Sequence, residues 1–307
     1  MMIRWTARRL ALRHFVAAAI LGGVGILGCG KQPAADESGQ KANLASTPAR
    51  AVDPGAPSAS IPGGASGTPI QRDRLHQAFA DAVRTGESPP ADEPPPVNQT
   101  DTGKSSFKIM RQVSELWDTI RFTTPDGKKI EHTATLETDQ GNIRIALFAD
   151  LAPNHVRNFV ALARAGYYDQ LVFELVRNET GDQGTLRALE GGSPTGRTDP
   201  SNSSIGYWLK PEFQPSNKIS HDEGIVGACR HSEEDSAACR FYINLTKAPW
   251  LDGNMTVFGK VVQGLDVVRT IYARGAIIEE DQPPAPPLLR PESPVVIKKV
   301  TIQTSEK

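Results

Sequence analysis

The chain has 307 residues, with 34 Lys and Arg against 35 Asp and Glu, so its formal net charge at pH 7 is −1. Neither this balance nor any dense run of basic residues indicates a nucleic-acid partner. The length permits two domains, but the large apolar residues are concentrated in the second half, which favours one folded unit.

The N-terminus has the pattern of an export signal. Four arginines precede the apolar run 15–28. That run is shorter than the roughly 20 residues that span a bilayer. It ends in Ile26-Leu27-Gly28-Cys29, which resembles the lipobox of bacterial lipoproteins, where the Cys becomes the acylated first residue. We expect a signal peptide over 1–28, lipidation of Cys29, and an extracytoplasmic, lipid-anchored protein on a bacterial membrane, on its periplasmic side. A plain cleaved signal, or a short anchor helix with an incidental Cys, is the alternative.

Residues 29–105 are rich in Pro, Gly, Ala and Ser and contain few large apolar residues. Such a segment cannot bury enough apolar surface to offset chain entropy, so we predict a disordered tether. Inside it, Leu75, Phe79, Ala82 and Val83 recur at helical spacing, which predicts a helix within 69–85. This helix is either transient or docks on the domain or on a partner.

A second helical period runs through residues 109–120, with Trp117 on its apolar face, and ends before the turn sequence Thr124-Pro125-Asp126-Gly127. We predict that residues 106–130 form an N-terminal extension that packs on the domain.

From His132 onward the pattern changes to strands. Apolar residues alternate before and after the turn sequence 139–142, which predicts a hairpin. A helix is expected to begin at Pro153, where proline is tolerated, and to end at Gly166. Short strands are predicted at 171–176, 241–245, 257–261 and 295–302, with a helix at 265–272. Many short strands with two helices predict a mainly β fold, a closed antiparallel β-barrel capped by two helices.

Several stretches, taken in their order and spacing, resemble the cyclophilin family over residues 131–303. They are Leu136-Glu137-Thr138 with Gly141, Ala152-Pro153 with Asn158-Phe159, Gly166-Tyr167-Tyr168-Asp169, Glu190-Gly191-Gly192, Phe241-Tyr242-Ile243, and Trp250-Leu251-Asp252-Gly253 with Val257-Phe258-Gly259. Each stretch alone is weak evidence, and their joint order carries the resemblance.

The resemblance implies a cyclophilin-like barrel that rotates the peptide bond preceding proline, a rotation that takes tens to hundreds of seconds without a catalyst. No covalent step, cofactor or metal is needed. The site must hold proline in an apolar slot and stabilise the twisted amide with a cation or donor. Together with the export signal, this implies proline-containing segments of exported proteins as partners.

The apolar slot is expected from the family pattern. The second aromatic of a Phe-Phe pair, a Trp and the following Leu shape the proline pocket, and Tyr242, Trp250 and Leu251 match those places here. Ordinary barrel core is the alternative for Tyr242 and Leu251. The further candidates for substrate binding are Phe173, Phe241 and Met255.

The polar half of the site departs from the family pattern. Leu175 occupies the place of the catalytic Arg, and Glu190 the place of a Gln. Arg187 stands where a pocket Phe is usual. Arg240 stands at a Gln position, and Met255 where a His is common.

These exchanges leave two readings of the chemistry. In the first, a displaced guanidinium from Arg177, Arg187 or Arg240 supplies the cation, so that Arg177, Glu190 and Arg240 are the catalytic candidates. Arg177 is expected on the same strand face as Leu175, about 6 to 7 Å further along. In the second, the groove binds proline peptides as a chaperone or scaffold without accelerating rotation, because loss of one such donor typically costs about 2.7 to 4 kcal/mol. A purely structural envelope protein is a third class.

Two cysteines remain beside Cys29. In an oxidising compartment Cys229 and Cys239 are candidates for a disulfide, which in an unstrained short loop stabilises a fold by roughly 2 to 3 kcal/mol. Zinc binding with His231 is the rival interpretation, but a fourth ligand at a plausible spacing is missing.

Overall fold

The computed structural model describes residues 75–85, 90, 95–196, 204–213, 219–277, 289–291 and 293–307. The predicted signal peptide, Cys29 and the first part of the predicted tether lie outside these residues. Among the residues described, no helix is both long and apolar enough to cross a membrane.

Strands dominate the described part of the chain. In chain order they are β1 (Val83–Thr85), β2 (Ile130–Thr138), β3 (Gly141–Leu147), β4 (Leu171–Gly181), β5 (Gly184–Gly191), β6 (Tyr207–Leu209), β7 (Ile225–Ala228), β8 (Phe241–Asn244), β9 (Val257–Gln263), β10 (Gly275–Ile277), β11 (Leu289–Pro291) and β12 (Val296–Glu306). Eight of them form an antiparallel ring in the order β4, β12, β2, β3, β9, β7, β8, β5, and pairing of β5 with β4 closes it. The predicted closed antiparallel barrel is confirmed.

Helices cover the barrel. They are α1 (Gln77–Ala82), α2 (Ser106–Trp117), α3 (Pro153–Arg164) and α4 (Leu265–Tyr272), together with a 3-10 turn over Pro249–Leu251. α3 begins with proline at its first turn, where the missing N–H has no helical partner to lose. It ends before Gly166, whose φ of +68° lies in the left-handed region that favours glycine.

The barrel interior is filled by aromatic rings. Phe241 lies with its ring centroid 5.8 Å from Phe159 of α3 and 6.3 Å from Phe173 of β4. Both Phe173 and Phe241 are fully buried there. Both residues, predicted to bind substrate, lie among the rings of the barrel core. Because side chains alternate along a strand, Phe241 points inward and its neighbour Tyr242 points out of the barrel.

The end of the predicted tether is part of the folded domain. α1 is shorter than the predicted helix, and Val83–Thr85 instead pairs with β6. Phe79 is fully buried, with its ring centroid 5.1 Å from both Trp117 and Tyr207. Burial of Phe79 and the β1–β6 ladder hold residues 75–85 on the domain, which is the docked alternative for the helix in this stretch. Residues 97–105, also within the predicted tether, bond to Ser204 and Pro194 of the domain through the backbone N–H groups of Val97 and Asp101. α2 packs against α3.

Candidate active site

One outward face of the barrel collects most of the predicted site residues. A bulge in β4 pairs Phe173 with Gly191 but Leu175 with Glu190, so Glu174 is the extra residue. The extra residue shifts the alternation of side chains by one position. Leu175 therefore faces outward, although it lies two residues after the inward-facing Phe173, and the residues after Leu175 alternate from there. Residues directly opposite each other in an antiparallel ladder share a face. The pairing of Glu190 with Tyr242 therefore continues this face onto β8.

An apolar cluster occupies the β5, β7 and β8 part of this face. Its members come from β5, from β8, from the residue after β7, and from the 3-10 turn with the residues on either side of it: Leu186, Ala188, Cys229, Tyr242, Ala248, Leu251 and Met255, with Trp250 packed against them. The predicted slot residues Tyr242, Trp250, Leu251 and Met255 are thus brought together.

The side chains of this apolar cluster pack against one another and leave almost no exposed surface. Tyr242, Leu251 and Met255 are only 0%, 1% and 2% exposed, whereas Trp250 is half-buried. A Cβ added at Gly184 would lie 3.1 Å from the Trp250 ring, so the tip of the β4–β5 hairpin rests against that indole. A proline ring can therefore enter this cluster only if one of its side chains moves aside.

A network of buried charges borders the apolar cluster. Arg177 Nε lies 2.6 Å from Glu190 Oε1, and Arg240 Nη2 lies 2.7 Å from Glu190 Oε2. Arg240 Nε also lies 3.2 Å from Glu174 Oε1, and Arg177 pairs with Glu179. The three predicted catalytic candidates are therefore in direct contact, and Glu190 bridges the two guanidiniums. The side chains of Arg177 and Arg240 remain 11% and 12% exposed.

Burial and pairing act in opposite directions on the two innermost carboxylates. Although desolvation opposes it, the charges of Arg177 and Arg240 hold the pKa of Glu190 below its usual value. Desolvation raises the pKa of Glu174 to about 7, against the opposing charge of Arg240. The second oxygen of Glu174, Oε2, is buried with no hydrogen-bond partner. Around pH 7, Glu174 therefore changes between a neutral and a charged partner of Arg240.

Arg187 does not belong to this network. It lies on β5 between Leu186 and Ala188, and alternation directs it to the opposite face, where it is exposed. The suggestion that Arg187 supplies the cation is therefore wrong. Arg177 lies on the face of Leu175, as regular alternation predicts.

The predicted disulfide is absent. Cys229 and Cys239 are both buried thiols. The backbone N–H of Cys229 bonds to the carbonyl of Arg240, at 3.2 Å, so Cys229 lies opposite Arg240. Cys239 is one residue away and therefore faces the other side, beside Tyr167. Among the described residues no group of three or more His, Cys, Asp or Glu is placed to hold a metal.

Sequence reasoning missed His221, which is fully buried in the site. Its ring nitrogens lie 2.8 Å from Asp252 Oδ1 and 3.0 Å from the Tyr242 hydroxyl. His221 also lines a surface cleft of about 350 Å³, together with Met255 and Phe213. The Trp-Leu-Asp-Gly stretch marked Asp252, but nothing near position 221 signals its partner.

A closed antiparallel barrel capped by helices, with this apolar cluster on its outer face, is a barrel of the cyclophilin type. The family model for cyclophilin type peptidyl-prolyl cis-trans isomerase/CLD matches residues 133–302, more than half of the chain. The chain belongs to this family.

The chain is also similar to individual proteins over part of its length. The chain is 32% identical over 134 residues to peptidyl-prolyl cis-trans isomerase-like 1 of Neurospora crassa, covering 44% of this chain and 77% of that protein. It is 35% identical over 150 residues to peptidyl-prolyl cis-trans isomerase-like 2 of Rhizopus delemar, covering 49% of this chain but only 26% of that protein. A crystal structure of a Cryptosporidium parvum cyclophilin type isomerase aligns with 23% identity and a TM-score of 0.46, over 56% of this chain and 98% of that chain.

Proposed function

We propose that this domain isomerises peptide bonds preceding proline in exported proteins, with Arg177 and Arg240 as the cations of the site. The observation that carries the proposal is the bridge through Glu190, which holds both guanidiniums and pairs with Tyr242 in the β5–β8 ladder. Cations and apolar cluster are therefore neighbours on one face.

The chemistry requires positioning and electrostatics only. The barrier to rotation, roughly 18 to 20 kcal/mol, arises from conjugation between the nitrogen and the carbonyl. A guanidinium aimed at the proline nitrogen, or at the carbonyl oxygen of the twisted bond, stabilises the transition state more than the planar ground state. Arg177 and Arg240 keep a small exposed fraction at the edge of the apolar cluster, from which a bound peptide can be reached.

A second candidate function is peptide binding without acceleration. It is favoured by Leu175 at the place of the family's catalytic Arg and by the carboxylates that already engage both arginines. A guanidinium paired with carboxylates offers a weaker field to a developing charge than an unpaired one. A groove that binds the planar and twisted forms equally does not raise kcat.

The proposal places the domain outside the cytoplasm on a lipid anchor at Cys29. Its support is the basic, apolar and Cys-terminated pattern of residues 1–29. Expression of the full chain in a bacterium, with fractionation of the wild type and of Cys29→Ser, tests this placement. The wild type is expected with the membranes and Cys29→Ser in the soluble fraction. Equal partition of the two proteins contradicts the anchor.

A proline-isomerisation assay on the full mature chain tests the activity. We expect the wild type to accelerate exchange of a proline peptide, and Arg177→Ala and Arg240→Ala each to lose about ten- to a thousandfold in kcat/KM. Arg187→Ala is the matched control, since it removes an exposed guanidinium from β5, on the face opposite to Glu190, and it should retain wild-type activity.

Binding measurements separate the two candidate functions. A wild-type rate equal to that in buffer, with measurable binding of a proline peptide over its alanine counterpart, eliminates the enzyme and supports the binding module. Neither turnover nor binding rejects both. A loss in Arg187→Ala equal to that in Arg177→Ala contradicts the assignment of the cations.

A further inference from the structure

We infer that His221 is a positioning residue that, held by Asp252, fixes the ring of Tyr242 in the apolar slot. The inference rests on the proposed function for its kinetic consequence. The hydrogen bonds on which it rests are observed in the structure and do not depend on the proposed function.

The three side chains form a chain of hydrogen bonds. His221 Nδ1 lies 2.8 Å from Asp252 Oδ1, and His221 Nε2 lies 3.0 Å from the hydroxyl of Tyr242. The two rings are inclined by only 19°. Both rings are buried, while the Asp252 side chain is 17% exposed. The chain therefore runs from the surface to the centre of the apolar cluster.

The carboxylate of Asp252 sets the tautomer of His221. Its Oδ1 accepts a bond from the backbone N–H of His221, at 2.8 Å, and lies at the same distance from Nδ1. A carboxylate only accepts, so Nδ1 carries the proton. Burial also lowers the pKa of His221, which favours the neutral ring. Nε2 is then the acceptor for the Tyr242 O–H.

The Tyr242 hydroxyl lies in space that is open only because residue 227 is a glycine. An added Cβ at Gly227, opposite Tyr242 in the β7–β8 ladder, would lie 2.2 Å from the phenol oxygen. The ring is therefore confined between the Gly227 backbone and His221. A phenylalanine in this position needs no polar partner, whereas a buried hydroxyl does.

His221 also connects the segments that carry the slot. Its carbonyl accepts from the backbone N–H of Ala248 and from the side-chain amide of Asn244, both at 2.9 Å. Asp252 directly follows Trp250 and Leu251 of the 3-10 turn. One residue thus links β8, which presents Tyr242, to the turn that presents the indole and the leucine.

A double-mutant cycle on the full mature chain tests the inference, with Tyr242→Phe, His221→Leu and the double variant. One hydrogen bond contributes roughly 0.5 to 1.5 kcal/mol net, or up to about tenfold in an equilibrium. We expect each single variant to raise KM for a proline peptide by about threefold to tenfold, with kcat within about twofold. The KM of the double variant should be no more than about twofold above that of the more impaired single variant, because both changes remove the same interaction.

A conservative replacement covers the case in which His221→Leu fails to fold. The amide oxygen of a glutamine can accept the Tyr242 hydroxyl, so His221→Gln is expected to keep KM within about threefold of wild type. Effects that multiply in the double variant overturn the inference. So does a His221→Gln variant that folds but is as impaired as Tyr242→Phe.

Tyrosine-ring NMR tests the hydrogen bond independently of turnover. Among the five tyrosines of the chain, the Tyr242 Cζ resonance is identified by its loss in Tyr242→Phe. We expect it to shift in His221→Leu while the other four stay in place. An unmoved Tyr242 resonance overturns the inference whether or not the chain is an isomerase. Wild-type chain without turnover or peptide binding, but with the shift, rejects only the proposed function.

Discussion

Arg177 reaches diagonally across the β4–β5 hairpin to Glu190, with Nε 2.6 Å from Oε1. Its direct partner in the ladder is Ala188, whereas Glu190 stands opposite Leu175. Long side chains span such diagonal positions on one face of a sheet. The guanidinium of Arg177 is therefore directed back toward the Leu175–Glu190 pair by its carboxylate partner.

The contacts of Glu190 with Arg177 and Arg240 predict that Glu190 contributes strongly to the free energy of unfolding. Glu190→Gln leaves Arg177 and Arg240 buried without their shared counter-charge, and removal of one partner of a buried pair typically costs about 3 to 5 kcal/mol. We expect a loss of about 3 kcal/mol in the free energy of unfolding, measured by urea titration. Glu115→Gln, from an exposed pair with Arg111 at 3.4 Å, should change nothing measurable. Equal stability of the two variants contradicts the prediction.

Glu174 predicts an unusual dependence of stability on pH. Burial raises its pKa from 4.5 to about 7, so in this interval the folded chain keeps a proton that the unfolded chain has released. Stability must therefore fall as pH rises from about 4.5 through about 7, by at most about 3 kcal/mol. The lowered pKa values of His221 and His132 act in the opposite direction.

A comparison with Glu174→Gln isolates this contribution, because the histidines titrate in both proteins. We expect the difference in unfolding free energy, wild type minus variant, to decrease between about pH 5 and pH 8 and to level off above that. Glu190 does not interfere in this window, because its pKa is lowered and its contribution is lost only in more acidic solution. Parallel curves for the two proteins reject the raised pKa.

The sequence predicted the parts of the fold that depend on neighbours in the chain. The β2–β3 hairpin follows from alternation around a turn, and α3 follows from Pro153, an apolar face and Gly166. Both signals are local. The strand β5 was not predicted because its sequence mixes Gly184, Arg187 and Glu190 with apolar residues and does not alternate regularly.

The site depends on partners distant in sequence, and there prediction failed. Which side of the barrel Leu175 and Arg177 face is decided by the bulge at Glu174, a property of the pairing with β5. His221 acquires its role from residues 21 and 31 positions away. The disulfide was predicted from an isolated cysteine pair in an expected oxidising compartment, whereas the register with Arg240 directs the two thiols to opposite faces.

Gly227 predicts a steric test of the Tyr242 position. Gly227→Ala sets a methyl group 2.2 Å from the phenol oxygen and 2.3 Å from Cζ, so the whole ring must move. Overpacking of this kind costs about 1 to 3 kcal/mol. We expect that loss in urea unfolding, with a shift of the Tyr242 Cζ resonance. Gly181→Ala is the control, since nothing lies within 4 Å of its added Cβ. If both alanines are tolerated equally, Tyr242 is not confined.

Leu186 predicts that the slot can be opened by mutation. Its side chain belongs to the apolar cluster beside Tyr242, which has no exposed surface of its own. Leu186→Ala removes a buried side chain at a cost of about 2 to 5 kcal/mol in stability and leaves space against the tyrosine and Leu251. A pyrrolidine ring can fill that space, so proline-peptide affinity should rise, measured by calorimetric titration.

The matched control for Leu186 lies three residues further along the same strand. Leu189 is also fully buried, but it faces the barrel interior with Ile243 opposite, away from Tyr242. Leu189→Ala should lower stability by a similar amount and leave peptide affinity unchanged. A rise in affinity in both variants indicates general loosening of the barrel. Unchanged affinity in Leu186→Ala means that this leucine does not block the slot.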